Sequence, residues 1–433
     1  MQKINLGIIG CGVVGTGVVQ ILQQHAKVIE QRLGARLVIT AIADTYIKRR
    51  RDIKLPKGVL TTDGMALCTD PAIDIIIELV GGTGIAGQFV EAALKHGKHV
   101  ITANKALLSE KGTPLFKLAE KQSLQLLFEA AVGGTIPVIR TIKQDLAGDQ
   151  IERMYGILNG TCNFILSKMA AEGADFAPTL KEAQQLGFAE ADPTLDVSGG
   201  DTAHKLALLA MLAWGTDIPF KKIHTEGITE LSAADFAFAK RLGRVIKLVA
   251  VGKRNKDDIE LRVHPTLLPA DSMLAKIDGS TNAVMLHAAA AGDVLLSGAG
   301  AGSLPTASAV VGDIIEAART VIDGSTAVPN RGMQPDQISQ LPIKPIGETV
   351  SGFYLRFVVK DQSGIIQSIS AVLVKYKLSI RDILQLDLHE FTQAVPLAIV
   401  LHPAQEQTVR LAIRELNKLR CMAERVVVLR VED

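Results

Sequence analysis

Short, almost wholly apolar runs punctuate the first third of the chain, at residues 3–9, 37–43, 73–79, 99–102 and 124–128. Between them apolar residues fall at helical spacing, most clearly over 12–24 and 85–96. Strands apolar on both faces and alternating with helices predict a parallel sheet covered on both sides, an α/β architecture of Rossmann type. In such a sheet, ligands bind at the carboxyl ends of the strands. Three of those ends carry suggestive residues: Asp44 after the second run, Gly81-Gly82-Thr83 after the third, and Ala103-Asn104-Lys105 after the fourth. Lys105 reads either as a solvated charge or as a site residue, and its place at a strand end favours the second reading.

The first of these ends is the most specific. Gly10-Cys11-Gly12-Val13-Val14-Gly15 follows the strand directly and opens a helical pattern. This is the dinucleotide fingerprint in its required context. Gly10 permits the turn, Gly12 lets backbone approach a pyrophosphate, and Gly15 lets the helix lie close to the sheet. The helix start supplies N–H donors to the phosphates.

Composition narrows the function classes. At 433 residues the chain is long enough for about three domains. Hydrophobic residues make up 48 % and charged residues 21 %, so sizeable cores can form. A net charge of +2 gives no reason to expect nucleic acid or an acidic membrane surface as partner. No apolar run has the length and character of a membrane span. The first residues read as a strand, so no signal peptide is expected, and the expected location is the cytoplasm. Cys11, Cys68, Cys162 and Cys421 have no metal-binding spacing.

From about 131 to 340 the texture changes. Gly133-Gly134-Thr135-Ile136-Pro137 is a turn, and Tyr155-Gly156-Ile157-Leu158-Asn159-Gly160-Thr161 sets glycines among polar donors. Residues 189–201, AEADPTLDVSGGD, form a loop dense in carboxylates (Glu190, Asp192, Asp196, Asp201) that feeds a helical run over 202–214. Asp201 and Lys205 are four apart and share one helix face, either as an ordinary salt bridge or as part of a site. His204 points to another face and reads as structural. His264 and His287 lack ligand spacing, so a metal hydrolase is a poor fit. A second glycine run, 297–302, ends at Gly302 before a small-residue helix over 307–318, where the chain is expected to return towards the cofactor. Residues 328–347, with four prolines, read as a linker. Beyond it, strands at 354–359, 378–387, 394–401 and 425–429 and helices at 365–376 and 406–419 give the order βαββαβ. That is a ferredoxin-like module without catalytic residues of its own.

The loop LGFAEADPTLDVSGGDTAHK, ending at Lys205, resembles the signature of homoserine dehydrogenases, in the bacterial form with a C-terminal ACT domain. The resemblance covers nearly the whole chain and includes the fingerprint, Ala103-Asn104-Lys105, GGTIP, GILNGTCN, SGAGAGSLPT and the terminal module. It implies an NAD(P)-binding domain over 1–130 completed by about 305–340, a catalytic and dimerisation domain over 131–304, and an ACT domain over 350–433. It implies reversible interconversion of L-homoserine and L-aspartate 4-semialdehyde in threonine, methionine and isoleucine biosynthesis, with L-threonine as effector and a homodimer or homotetramer as assembly. It assigns Lys105, Lys205 and Asp201 to catalysis. Glu190, Asp196, Tyr155, Gly156, Asn159 and Thr161 go to the substrate. Gly10, Gly12, Val13, Val14, Gly15, Asp44, Arg49, Gly81, Thr83, Lys105 and Gly302 go to NADP or NAD. It further implies a monovalent cation, sodium, held by Glu129, Val132, Gly134 and Ile136.

Two departures qualify the resemblance. Many relatives place arginine at the end of the second strand, where this chain has Ala43-Asp44 followed by Lys48, Arg49, Arg50 and Arg51. The acid favours the ribose 2′-hydroxyl of NAD and the basic run suits the 2′-phosphate of NADP, so both cofactors stay open. In the terminal module Ser363-Gly364 stands where relatives have Pro-Gly. Two other classes compete: an aldehyde dehydrogenase with Cys162 as nucleophile, and an amino-acid-responsive NAD(P) sensor without catalysis. In the sensor, Lys105 and the Asp201/Lys205 pair would be surplus.

Overall fold

The computed structural model describes residues 1–433 except 49–52, 57, 325–327, 361 and 386–393. Its strands are β1 (Lys3–Ile9), β2 (Arg36–Ala43), β3 (Leu60–Thr61), β4 (Ile75–Glu78), β5 (His99–Thr102), β6 (Leu126–Leu127), β7 (Ile151–Ile157), β8 (His224–Thr225), β9 (Arg244–Arg254), β10 (Ile259–Pro269), β11 (Thr281–Ala288), β12 (Gly292–Ala299), β13 (Val350–Lys360), β14 (Ile380–Gln385), β15 (Ala394–Gln405) and β16 (Val427–Val431). The chain forms two compact units. One comprises Met1–Arg153, His204–Lys222 and Asn282–Leu341; the other comprises Met154–Ala203, Ile223–Thr281 and Pro342–Asp433.

The first unit is built on the sheet β3-β2-β1-β4-β5-β6, with every neighbouring pair parallel. Chain order reverses between β1 and β4, which is the switch point where doubly wound sheets bind ligands. The all-apolar reading holds because these strands are covered on both faces: β4 is buried at all four positions. The helix Ser303–Asp323 brings Ala307, Val310, Ile314 and Ala317 into the core with Ile4, Leu6 and Ile8 of β1 and Val18 and Val19. After the second glycine run the chain thus packs back onto this sheet. The run at 328–347 is less free than its prolines suggest. Asn330 accepts the Leu126 N–H at 2.8 Å and donates to the Leu124 carbonyl at 2.9 Å. Arg331, 1 % exposed, binds Glu120 and Asp217.

The second unit carries a mixed sheet in the order β9-β10-β16-β13-β15-β14, with β8 on β10. Within it, β13, the helix Ile365–Lys375, β14, β15, the helix Glu406–Leu416 and β16 realise the βαββαβ order around their own core of Phe353, Leu355, Phe357, Ile369, Leu397 and Val409. Sequence reading expects this module to stand apart. Instead β16 pairs in parallel with β10, Thr266 opposite Arg430 and Leu267 opposite Val431, so its sheet continues into that of the preceding segment.

Candidate functional site

Each unit assembles a set of the expected residues. In the first unit β1 ends at Gly10, whose φ of +97° belongs to the left-handed region; a side chain there would meet the Leu79 carbonyl at 2.8 Å. A Cβ on Gly15 would lie 2.2 Å from the Gly10 carbonyl oxygen, so the helix Val13–Gln24 can approach the turn only without one. Gly12 caps that helix, and a Cβ on it would meet nothing within 4 Å. Gly10 and Gly15 thus serve the fold, while Gly12 leaves space at the helix start, where N–H donors attract an anion. Val13 beside it is 63 % exposed. Gly302 caps the helix Ser303–Asp323 with φ +121°, and the Ser303 hydroxyl donates to the Val13 carbonyl at 2.8 Å. The two glycine runs therefore meet.

Asp44 does more than end β2. One carboxylate oxygen accepts the Cys11 N–H at 2.8 Å and the other accepts Tyr46 N–H at 2.7 Å, so the side chain ties down the fingerprint turn itself. Arg49, together with Arg50 and Arg51 of the basic run, lies outside the described residues.

At the end of β4 stands a residue that pattern reading missed. Glu78 is fully buried and accepts N–H groups of Val80 (2.8 Å) and Gly81 (3.2 Å) on one oxygen and the Thr102 hydroxyl (2.6 Å) on the other. It shapes the turn through Gly81 and Gly82, both at positive φ, that leads to Thr83. A charge closing an isoleucine run before two glycines was the available signal. Asn104 completes the arrangement: its amide donates to the Gly82 carbonyl at 2.7 Å, and its oxygen caps the helix Lys105–Lys121 through Leu107 N–H at 3.0 Å. Lys105 is therefore the first helical residue at the carboxyl end of β5.

The expected cation set also lies in this unit. Glu129 is buried; its two oxygens accept the N–H groups of Ile139 (2.8 Å) and Arg140 (2.9 Å) at the start of a helical turn. Burial pushes its carboxyl above the ordinary range against the pull of Arg140. Gly133 and Gly134 hold positive φ, and the Ile136 carbonyl accepts Val138 N–H at 2.8 Å. Both Glu129 oxygens and the Ile136 carbonyl thus already hold backbone N–H groups. Glu129 is also a helix cap in its own right.

In the second unit the polar loop after β7 meets the acidic loop. Asn159 caps the helix Gly160–Glu172 through Cys162 N–H at 2.8 Å. Its amide nitrogen donates both to Asp196 at 2.7 Å and to Asp201 at 2.9 Å. One amide thus gathers two carboxylates from 37 and 42 residues away. Two carboxylates fixed on one donor concentrate negative charge, the feature an ammonium group requires.

The other members of the acidic loop do not join this cluster. The Asp192 carboxylate turns onto its own Thr194, and Glu190 is exposed. Thr161 donates its hydroxyl to the Phe188 carbonyl at 2.6 Å, and Tyr155 reaches Glu432 at 3.4 Å. A Cβ on Gly156 would press on Leu158 at 2.8 Å. Lys205 is buried and stands four residues after Asp201 on the helix Gly200–Trp214.

His204 is structural, as its helix face suggests: it is buried, bonded to the Ser109 hydroxyl at 2.6 Å and stacked on Phe220 at 4.1 Å. Cys162 is buried with its thiol on the Asp196 carbonyl at 3.2 Å, which suits a core residue and not an accessible nucleophile. Among the described residues no group of three or more His, Cys, Asp or Glu is placed to hold a metal, and no helix is long and apolar enough to cross a membrane.

Comparison with known proteins bears on the family. The family model of the homoserine dehydrogenase NAD-binding domain matches residues 10–129, and that of homoserine dehydrogenase matches 137–315. The homoserine dehydrogenase of Neisseria gonorrhoeae is 42 % identical over 434 residues, covering 100 % of this chain and 99 % of its own. The crystal structure of a homoserine dehydrogenase from Thiobacillus denitrificans superposes with a TM-score of 0.94 at 39 % identity, covering 100 % of this chain and 99 % of that one. A hyperthermophilic archaeal homoserine dehydrogenase mutant in complex with NADPH superposes with a TM-score of 0.63 at 26 % identity, over 73 % of this chain and 98 % of that one. With a dinucleotide fingerprint built for phosphate on one unit and an amide-clamped carboxylate pair on the other, the chain belongs to the homoserine dehydrogenase family of NAD(P)-linked enzymes.

Proposed function

We propose that the chain interconverts L-homoserine and L-aspartate 4-semialdehyde, with Asp196 and Asp201 on Asn159 as the observation that carries the reading of its substrate side. Homoserine bears an ammonium group, and the paired carboxylates are its natural counter-charge. A bound nicotinamide dinucleotide supplies the hydride acceptor or donor. Gly10, Gly12, Val13, Val14, Gly15, Gly81, Thr83 and Gly302 line its place, and Gly12 leaves the room a pyrophosphate needs.

The work left to the chain is at the substrate oxygen. Oxidation takes the hydroxyl proton and leaves a carbonyl; reduction builds negative charge on the same oxygen. A lysine ammonium aimed there stabilises that charge and can hold the proton, which is the role given to Lys205 and Lys105. Asp201, one helical turn before Lys205, is the carboxylate assigned with it in the same loop. Tyr155, Gly156, Thr161 and Glu190 complete the substrate loops in this reading. Sodium at Glu129, Val132, Gly134 and Ile136 would brace the turn that follows β6, and no chemical step passes through it.

The chain is read as a cytoplasmic homo-oligomer in amino-acid biosynthesis, with residues 350–433 as an ACT-type module that answers to L-threonine. The left-handed Gly364 (φ +83°) at the start of the helix Ile365–Lys375 supports that reading, since it preserves the turn despite Ser363. The test is a purified-protein assay following nicotinamide absorbance. Homoserine-dependent reduction of NAD or NADP is expected. Absence of turnover with both cofactors, in protein that still binds dinucleotide, would favour the sensor reading instead.

A further inference from the structure

Within the second unit one carboxylate links the C-terminal module to the acidic loop. Arg430 on β16, 2 % exposed, grips Glu226 with both terminal nitrogens, one of them at 2.8 Å, and also binds Glu406 at 2.6 and 3.1 Å. Arg410 adds a bond to Glu226 at 3.2 Å, and the His224 ring nitrogen lies 2.8 Å from it. Burial alone would raise the Glu226 carboxyl, yet His224 and Arg430 hold it well below the usual range, so it stays ionised.

The backbone that carries Glu226 then runs onto the acidic loop. Glu226 N–H bonds to the Val263 carbonyl at 2.8 Å, and Ile228 N–H bonds to the Val197 carbonyl at 2.9 Å. Between them, a Cβ on Gly227 would fall 2.2 Å from that Val197 oxygen and 2.8 Å from the Ser198 Cα, so the two backbones are in direct contact. Val197 directly follows Asp196, whose carboxylate shares the Asn159 amide with Asp201. Asp196 sits in the short helix Thr194–Val197, which has no side-chain cap of its own. Its position is set by Asn159 on one side and the 226–228 segment on the other, with the Cys162 thiol on its carbonyl and Asp192 on Thr194 at the helix start.

We propose that Glu226 is a positioning residue for substrate binding: clamped by Arg430, it fixes the segment that holds Asp196 against Asn159. The proposal rests on the reading of Asp196 as a substrate ligand. Glu226→Gln keeps the shape and one acceptor, and Arg430 keeps Glu406, so the full chain is expected to fold, with a melting temperature lowered by the weakened pair. The expected result is a rise of about fivefold or more in KM for homoserine, with kcat and the cofactor KM within about twofold. In an Asp196→Asn background the same substitution is expected to add little, because the two act through one element.

An unchanged homoserine KM would overturn the proposal. So would a matching rise in cofactor KM, or full additivity with Asp196→Asn. If Asp196→Asn alone leaves homoserine KM unchanged, the substrate assignment falls and this proposal with it. The single variants therefore separate the two failures.

Discussion

Two lysines bear the chemical step in the proposed function, and they are held in different ways. Lys105 is placed by the cap that Asn104 gives its helix, while Lys205 is buried one turn after Asp201. Lys105→Ala and Lys205→Ala are each expected to lower kcat for homoserine oxidation by about 100-fold or more, the scale of a proton-transfer or oxyanion contribution, with an unchanged circular dichroism spectrum. Near-normal turnover in both would sink the assignment. Asp44 requires a finer test, because its carboxylate holds Cys11 N–H as well as standing at the end of β2. Asp44→Ala is expected to raise KM for both cofactors through a looser turn, and to raise it less for NADP, whose 2′-phosphate the acid repels. A specificity ratio that does not move would show that Asp44 serves the turn alone. What was legible at this scale followed from spacing: Gly10, Gly12 and Gly15 declare their roles because those roles are local. Asn159 does not, because it joins Asp196 and Asp201 only after the chain has folded across 37 and 42 residues. Glu190 and Asp192, equally acidic and equally near in sequence, stay outside that cluster.

At the level of elements, β10 contains a group that the mechanism does not use. His264 is fully buried; its ring meets the Thr266 hydroxyl at 2.9 Å, and Nε2 has no partner. Burial, reinforced by Arg430 and Arg262, depresses its pKa well below the ordinary 6.5. A histidine depressed in the folded state contributes stability above the unfolded pKa and loses it as pH falls, because below 6.5 only the unfolded chain takes the proton. Each such proton gives a slope of about 1.4 kcal/mol per pH unit. His264→Gln is therefore expected to cost stability at pH 7.5 but to flatten its decline between about pH 6.5 and 5 in urea melts. Equal slopes in the variant and the parent would refute a neutral His264. The elements themselves were read well where both faces of a strand are buried, as in β4. In the terminal module the apolar stretches at 354–359 and 394–401 fall short of β13 and β15: β13 begins at Val350 and β15 runs on to Gln405, because antiparallel pairing between them continues past those stretches.

For the whole chain, the question is whether residues from about 350 onward are a removable control module. Their βαββαβ order and the proline-containing run before them suggest so. The charges in the second unit argue otherwise. Arg262, 1 % exposed, relies on Glu432 and the Ser351 hydroxyl; Asp235, fully buried, relies on Tyr354 and Arg356; Glu226 relies on Arg430. In each pair one partner comes from before residue 282 and the other from the last 84 residues of the chain, 350–433. Removing one member of a buried pair costs about 3–5 kcal/mol, since the remaining charge stays buried without compensation. Three such losses are of the same order as the roughly 5–15 kcal/mol that holds a typical protein folded. They would also leave one edge of β10 without β16. A chain ending at Gly347 is therefore expected to be insoluble or to melt far below the full protein, whatever its catalytic residues are doing. Solubility on expression, followed by a thermal melt, decides this. A soluble truncated enzyme with an unshifted melting temperature would show that the terminal module is independent and that the buried pairs across β10 and β16 contribute little. Threonine control then has to be tested in the intact chain, by calorimetry and by homoserine-oxidation rates with and without L-threonine. Loss of activity on truncation would report the collapse of the second unit's sheet, not the removal of an effector site.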